Sequence, residues 1–417
     1  MEYRNPLLLK CAAFVMAALI MPKVAAASLD AAIEAAIEND PWLVRSLALE
    51  RALQTDAMAA GALPDPSLSA SLANVPTDTF DLSQEPMTQL IVGVSQRFPS
   101  GQARQLRRRR LEQMSASAPI DRLIRRAVLR RDITLQWIDA GLAQETIRLI
   151  DDERILFEQL EGVTRASYGA GSGKTSQQNL VRVQLELTRL DERLLLLEDS
   201  LQQAIAALSE WVPGSILNGV GSFDPVPGQE RQVAFPVDHP EIQGIDQQIK
   251  VAEVEVRLAD AARRPGWSLH TQYGLRDEDR LGRELPDFVS VRINLDLPLF
   301  PRNRQNKQVA AAAERVAASR SERLLRLREL DARYTQLQRQ LQRLNQQQSL
   351  YVDMVVPQVT AMAEAALNAY TSDRGDFAEV MRAHIDLLNT RIEVMRIGAE
   401  RQKTIAKIDY HLTRSPS

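Results

Sequence analysis

Four groups of side chains in this sequence have types and spacings that could do chemistry. Gly173-Lys174-Thr175 has the ending of a phosphate-binding loop, whose lysine and hydroxyl would hold phosphates and magnesium. Such a loop also needs a glycine five residues before Gly173 and a buried strand ahead of it. That position is Tyr168, and Gln159–Ser167 is polar and helical in pattern. The segment reads as the tip of a helical hairpin. The four histidines, His239, His270, His384 and His411, form no i, i+4 pair, and no HExxH, GxSxG or carboxylate–histidine cluster occurs. Met381 and His384 could share a helix face as soft metal ligands. No third ligand accompanies them, and packing accounts for both. Arg104 with Arg107, Arg108, Arg109 and Arg110 could meet anionic head groups, but a solvated helix face explains the cluster as well. No catalytic residue, cofactor or metal site emerges.

The elements that carry these residues are more telling. The 417 residues hold 51 Lys and Arg against 54 Asp and Glu, a balance that does not suit a nucleic-acid partner. Residues 1–27 read as a secretory signal: a start bearing Arg4 and Lys10, an apolar run Cys11–Met21, and small residues up to Ala27. That run is short of the roughly 20 residues a transmembrane helix takes. Cleavage after Ala27 removes Cys11, the single cysteine, and leaves no thiol for a disulfide or metal site. The remaining charge is −5, from 48 basic and 53 acidic residues once Glu2, Arg4, Lys10 and Lys23 are gone. No later stretch is apolar enough for a membrane helix, so insertion in a bilayer would have to use strands.

The sequence repeats itself at an offset of about 200 residues. Asn39-Asp40-Pro41 returns as Asp238-His239-Pro240, and Pro64 as Pro265. Phe98-Pro99 returns as Leu297-Pro298, and Tyr168 as Tyr370. The first repeat covers 28–210, a linker rich in Pro and Gly covers 211–238, and the second repeat covers 239–417. Each repeat reads as a helix (29–62; 240–263), two strands, a very long helical stretch (102–167; 302–369), a tip (168–173; 370–376) and a returning helix (175–208; 377–412). Pro119 and Pro357 lie inside the long stretches and predict kinks or changes of helix.

The strands 67–74, 88–98, 267–275 and 288–297 alternate with period two. On the last, Val289, Val291, Ile293, Leu295 and Leu297 oppose Ser290, Arg292, Asn294 and Asp296. On the third, Ser268, His270 and Gln272 lie opposite Leu269, Thr271 and Tyr273. Strands of about 10 residues cross a membrane when tilted, and aromatics fall near their ends as interfacial girdles do. The polar set is then the lumen: Ser268, His270, Gln272, Ser290, Arg292, Asn294 and Asp296. Four strands cannot close a barrel, since single-chain barrels start at about 8, and open edges are not tolerated in hydrocarbon. Several copies must combine. The stretch 102–167 would be about 100 Å long as helix. Its partner carries a heptad seam from Leu180 through Val183, Leu187, Leu190, Leu194, Leu197, Leu201 and Ala204 to Leu208. A second seam runs from Leu327 to Leu344.

Tandem strand–strand–hairpin units behind a signal resemble the TolC family of outer-membrane efflux proteins, over the whole mature chain. Asn39-Asp40-Pro41 and Leu63-Pro64-Asp65-Pro66 resemble the family's first unit. Pro357 and Tyr370-x₆-Phe377-x-Glu379-Val380-Met381-x-Ala383 resemble its second hairpin tip. The resemblance implies a mainly α protein with a β-barrel contribution. It would be a homotrimer closing a twelve-stranded barrel in outer-membrane lipid, over a periplasmic helical barrel. A periplasmic adaptor and an inner-membrane pump would be its partners in a tripartite efflux system of a Gram-negative bacterium. It implies docking at the tips, Tyr168, Gly169, Gly171, Tyr370, Asp373 and Gly375, although Asp373 stands where the first tip has Gly171. It also implies a gating acid at Glu379, opposite which the first repeat has Gln177. A solvated helix residue is the plainer reading of Glu379. The Leu63–Pro99 region, with Pro86-Met87-Thr88 and Ser95-Gln96-Arg97-Phe98-Pro99, looks like the branch serving heavy-metal cations. The rival function is a periplasmic adaptor, which carries one hairpin flanked by soluble β-domains.

Overall fold

A computed structural model describes residues 28–169, 177–217, 235–372 and 374–414. The expected signal, most of the linker, Gly171, Gly173-Lys174-Thr175 and Asp373 lie outside the described residues. The chain divides into two compact units: Met1–Asn39 with Gln136–Asp224, and Asp40–Leu135 with Pro225–Ser417.

The first unit contains α1 (Leu29–Glu38), the later part of α4 (Ala118–Gly169), α5 (Gln177–Ser209) and the short α6 (Gly214–Leu217). Ser28 caps α1 by accepting from the Ala31 amide. The α5 seam behaves as its heptads predict: every residue named from Leu180 to Leu208 is buried or half-buried, while Leu195 and Leu196 between seam positions are exposed. Polar bonds bind α5 to α4 alongside it, Arg154 to Asp191 at 3.2 Å and Gln184 to Glu161 at 3.1 Å.

The second unit holds α2 (Pro41–Gly61), β1 (Ser67–Ala73), β2 (Gln89–Phe98), α3 (Ala103–Ser115) and the start of α4. Then come α7 (Pro240–Ala261), β3 (Gly266–Leu275), β4 (Phe288–Asp296), α8 (Gln305–Leu350), α9 (Val356–Thr371) and α10 (Phe377–His411). The four strands form one antiparallel sheet in the order β1-β2-β3-β4. Helix α2 packs on α3, α7 on α8, and α10 on α8 and α9. Between α9 and α10 the packing is of small apolar side chains, Ala363, Ala383 and Leu387, with Val359 and Ala366 against them.

The helical stretches read in the sequence are interrupted at three places, two of them beside Pro119 and Pro357. Residues 29–62 are two helices, because the buried Asp40 side chain accepts from the Trp42 amide and starts α2 afresh with Pro41 at its first position. The stretch 102–167 breaks at Ala116-Ser117, and Pro119 falls in the first turn of α4, where its missing N–H costs nothing. The stretch 302–369 carries a π-turn at Tyr351–Val355 immediately before Pro357. The proline cannot donate to the carbonyl one turn back, and the widened turn absorbs that defect. The observed strands end within a residue of the expected ones.

Candidate functional site

The sheet has two unlike faces. Cross-strand register places Leu68 against Val94, Val94 against Thr271 and Thr271 against Val291. Val92, Tyr273 and Val289 make a second row, and Phe98, Trp267 and Leu295 a third. This face is apolar and bare: Leu68 is 76% exposed and Val289 68%. Phe98 stacks on Trp267 with ring centres 4.0 Å apart. An aqueous surface seldom presents so large an apolar patch.

The opposite face brings together all seven polar residues singled out from β3 and β4. Ser95, His270 and Arg292 are register partners across three strands, as are Gly93, Gln272 and Ser290. His270 Nε2 lies 2.9 Å from both Ser268 Oγ and Asn294 Nδ2, accepting from the amide. Ser67 and Ser95 share a hydroxyl bond of 2.7 Å, and Arg97 reaches Asp296 at 3.7 Å. Among the described residues no strand lies beside the outer edges of β1 and β4.

At the second hairpin tip, Tyr370 in α9 meets Phe377 at the start of α10 edge-on at 5.6 Å. Gly375 sits so close to Tyr370 that a Cβ there would come within 2.8 Å of the Tyr370 amide nitrogen. Asp376 caps α10, and Glu379 is exposed in its first turn. At the other tip, Tyr168 and Gly169 are exposed at the end of α4. Met381 and His384 are buried within α10. Among the described residues no group of three or more His, Cys, Asp or Glu could hold a metal ion, and no helix is long and apolar enough to cross a membrane. In the arginine cluster, Arg107, Arg108 and Arg109 are exposed. Arg104 donates to the Gly61 carbonyl at 3.0 Å, Arg108 pairs with Glu112, and Arg110 pairs with Glu255 at 2.9 Å.

Sequence reasoning missed a buried polar constellation in the second unit. His239 caps α7: its Nδ1 accepts from the Glu241 amide at 3.3 Å, and Nε2–H donates to the Tyr410 carbonyl at 3.2 Å. Both bonds require the neutral ring with its proton on Nε2. Glu241 accepts from the Tyr410 hydroxyl and from Arg326 Nε at 2.6 Å. Burial opposes the Glu241 charge, yet these donors hold its carboxyl below the usual range. Burial holds His239 below its ordinary value and pushes His411 down to about 4. Arg131 stacks over the Tyr410 ring at 4.8 Å. The recurrence of arginine at 122, 125, 323 and 326 is the signal that could have exposed these contacts.

No protein-family model matches the sequence, and no curated protein matches it. Solved structures do. The transmembrane-channel-forming protein CusC aligns with a TM-score of 0.74 at 15% identity, covering 93% of this chain and 92% of CusC. The outer-membrane protein VceC of Vibrio cholerae aligns at 0.76 and 16% identity, over 92% and 95% of the two chains. This is an outer-membrane-channel fold. The Campylobacter jejuni outer-membrane channel CmeC shares it too, at 0.76 and 13% identity, over 93% of this chain and 87% of CmeC.

Proposed function

We propose that this chain is one subunit of a passive export channel in the outer membrane. Three copies would join β4 of one to β1 of the next, making twelve strands in all, four from each copy. An even number of antiparallel strands per copy lets every junction also be antiparallel, so the ring closes without an edge. The apolar face then meets lipid, and Ser268, His270, Gln272, Ser290, Arg292, Asn294 and Asp296 line the lumen. The observation that carries this reading is the four-stranded sheet with one bare apolar face and two open edges.

The helices extend the duct, and Tyr168, Gly169, Tyr370 and Gly375 would present its hairpin tips to an adaptor and an inner-membrane pump, which would supply the work of transport. Glu379, exposed beside one tip, would become a ring of three carboxylates under threefold symmetry and act as a gate. An adaptor has no use for one continuous sheet with a bare apolar face, so the channel reading is preferred. Cell fractionation tests it: a heat-resistant trimer in outer membranes is expected, and a soluble periplasmic monomer would contradict it.

A further inference from the structure

Where the strands meet the long helices, the polar face of the sheet runs into a cleft of about 670 Å³ whose lining includes Arg97, Arg107, Arg264, Arg304, Asp296 and Gln305. Four guanidinium groups confront one carboxylate, since Asp296 is the sole acid of the lining. The Arg97–Asp296 pair is 3.7 Å apart with both side chains more than two-thirds exposed, so it neutralises little. Arg107, Arg264 and Arg304 form no ion pair among the described residues. Among the described residues no acid answers these three guanidinium groups.

The backbone adds to this positive field. Ser100 and Arg107 flank the cleft at the start of α3, and Arg304 and Gln305 at the start of α8. Neither helix has a side-chain cap or an acid in its first turn, so no carboxylate opposes either positive dipole end. The Oε1 of Gln305 is buried without a hydrogen-bond partner, and the carboxamide turned over would offer N–H instead. Gly101, at φ +43°, leaves room for Arg264, whose Cδ would stand 3.0 Å from any Cβ there. Higher on the same face the strands add Arg292 and no further acid.

We propose that this cleft holds the anionic group, phosphate or carboxylate, of what passes through the channel, and that it makes the bore prefer anions. The inference rests on the reading of the polar face as lumen. Planar guanidinium forks match both oxyanions, and rings of arginine select anions in pores. In a trimer, twelve arginines and three aspartates would surround one bore. A bare divalent cation, the cargo implied by the heavy-metal resemblance of Leu63–Pro99, is repelled there.

The test is the reversal potential of the full mature protein, purified from outer membranes, in planar bilayers under a potassium chloride gradient. Chloride preference is expected. Replacing Arg97, Arg107, Arg264 and Arg304 together by Gln should lower the chloride-to-potassium permeability ratio several-fold, and Lys at the same four positions should retain it. Asp296→Asn should raise the ratio, and it decides the matter if the quadruple variant does not assemble. The ratio should be the same in phosphatidylcholine bilayers and in bilayers containing phosphatidylglycerol. A ratio that follows lipid charge and ignores the arginines would make the cleft a head-group site and overturn the inference. Cation preference, or a ratio unmoved by Gln and by Asp296→Asn, would overturn it while leaving a channel. Absence of any conductance would remove the channel reading and the inference with it.

Discussion

Arg125 and Arg326 do the same work about 200 residues apart. Arg125 on α4 donates to Asp40 at 2.8 Å, and Arg326 on α8 donates to Glu241 at 2.6 Å, each bond spanning 85 residues. One turn earlier, Arg122 pairs with Glu50 on α2 and Arg323 with Asp246 on α7. Two arginines per repeat therefore tie each long helix to the helix that precedes its strands. The outer tie of each pair lies at the start of α2 and of α7, the ends of those helices away from the strands.

Asp40 is 1% exposed, caps α2 and neutralises a half-buried guanidinium. Asp40→Ala should lower stability by about 2–4 kcal/mol, adding a lost cap to a broken, largely buried ion pair. Asp40→Asn keeps an oxygen for the Trp42 amide and should cost about half as much. Denaturant midpoints of the assembled protein measure both, and equal midpoints for wild type and Asp40→Ala would show the tie to be idle.

His411 is buried beside His239, Glu241, Arg131 and Arg333. Burial, with His239 and the two arginines, holds its pKa near 4 against 6.5 in the unfolded chain, while Glu241 pulls the other way. The unfolded chain therefore takes up the proton first. This contribution to stability is full above pH 6.5, declines as pH falls from there to about 4, and is constant below. The total is at most about 3 kcal/mol. His239, also held low, acts in the same direction. Unfolding free energies at pH 7 and pH 4.5 should differ less in His411→Phe than in wild type; identical pH dependence would refute the assignment.

Two glycines should respond oppositely to alanine. Gly375→Ala presses a Cβ onto the backbone of Ala369 and Tyr370, and should destabilise the α9–α10 turn by about 1–3 kcal/mol. Gly162 lies inside α4 with nothing within 4 Å of a built Cβ, so Gly162→Ala should stabilise by up to about 1 kcal/mol. Thermal unfolding of the two variants gives the signs directly.

Glu379 is exposed in the first turn of α10, where its charge also favours the helix dipole. If it forms a gate, Glu379→Ala should raise single-channel conductance or weaken block by multivalent cations. Unchanged conductance and unchanged block would leave it only the helix-stabilising part.

The strands were legible because period-two alternation, as in Phe288–Asp296, is a local pattern that one buried or lipid-facing face imposes. Pro119 and Pro357 were legible as breaks because a missing N–H acts where it stands. The fresh helix start at Asp40 was not, since its capping geometry competes with an otherwise continuous apolar periodicity. The bond from His239 to Tyr410 spans 171 residues, and Arg97 joins Arg264 and Arg304 in one cleft. No local period records such meetings. They depend on which helices end beside one another, and only the folded chain supplies that.

Cross-linking between strand edges tests the central claim most directly. With a cysteine at Ser71 on β1 and a second scanned along Ser290, Arg292 and Asn294 on β4, mild oxidation in isolated outer membranes should join neighbouring copies. The expected product stops at a covalent trimer. Cross-links confined within single chains, or none at any β4 position in protein that is folded, would show that these edges do not meet around a shared pore.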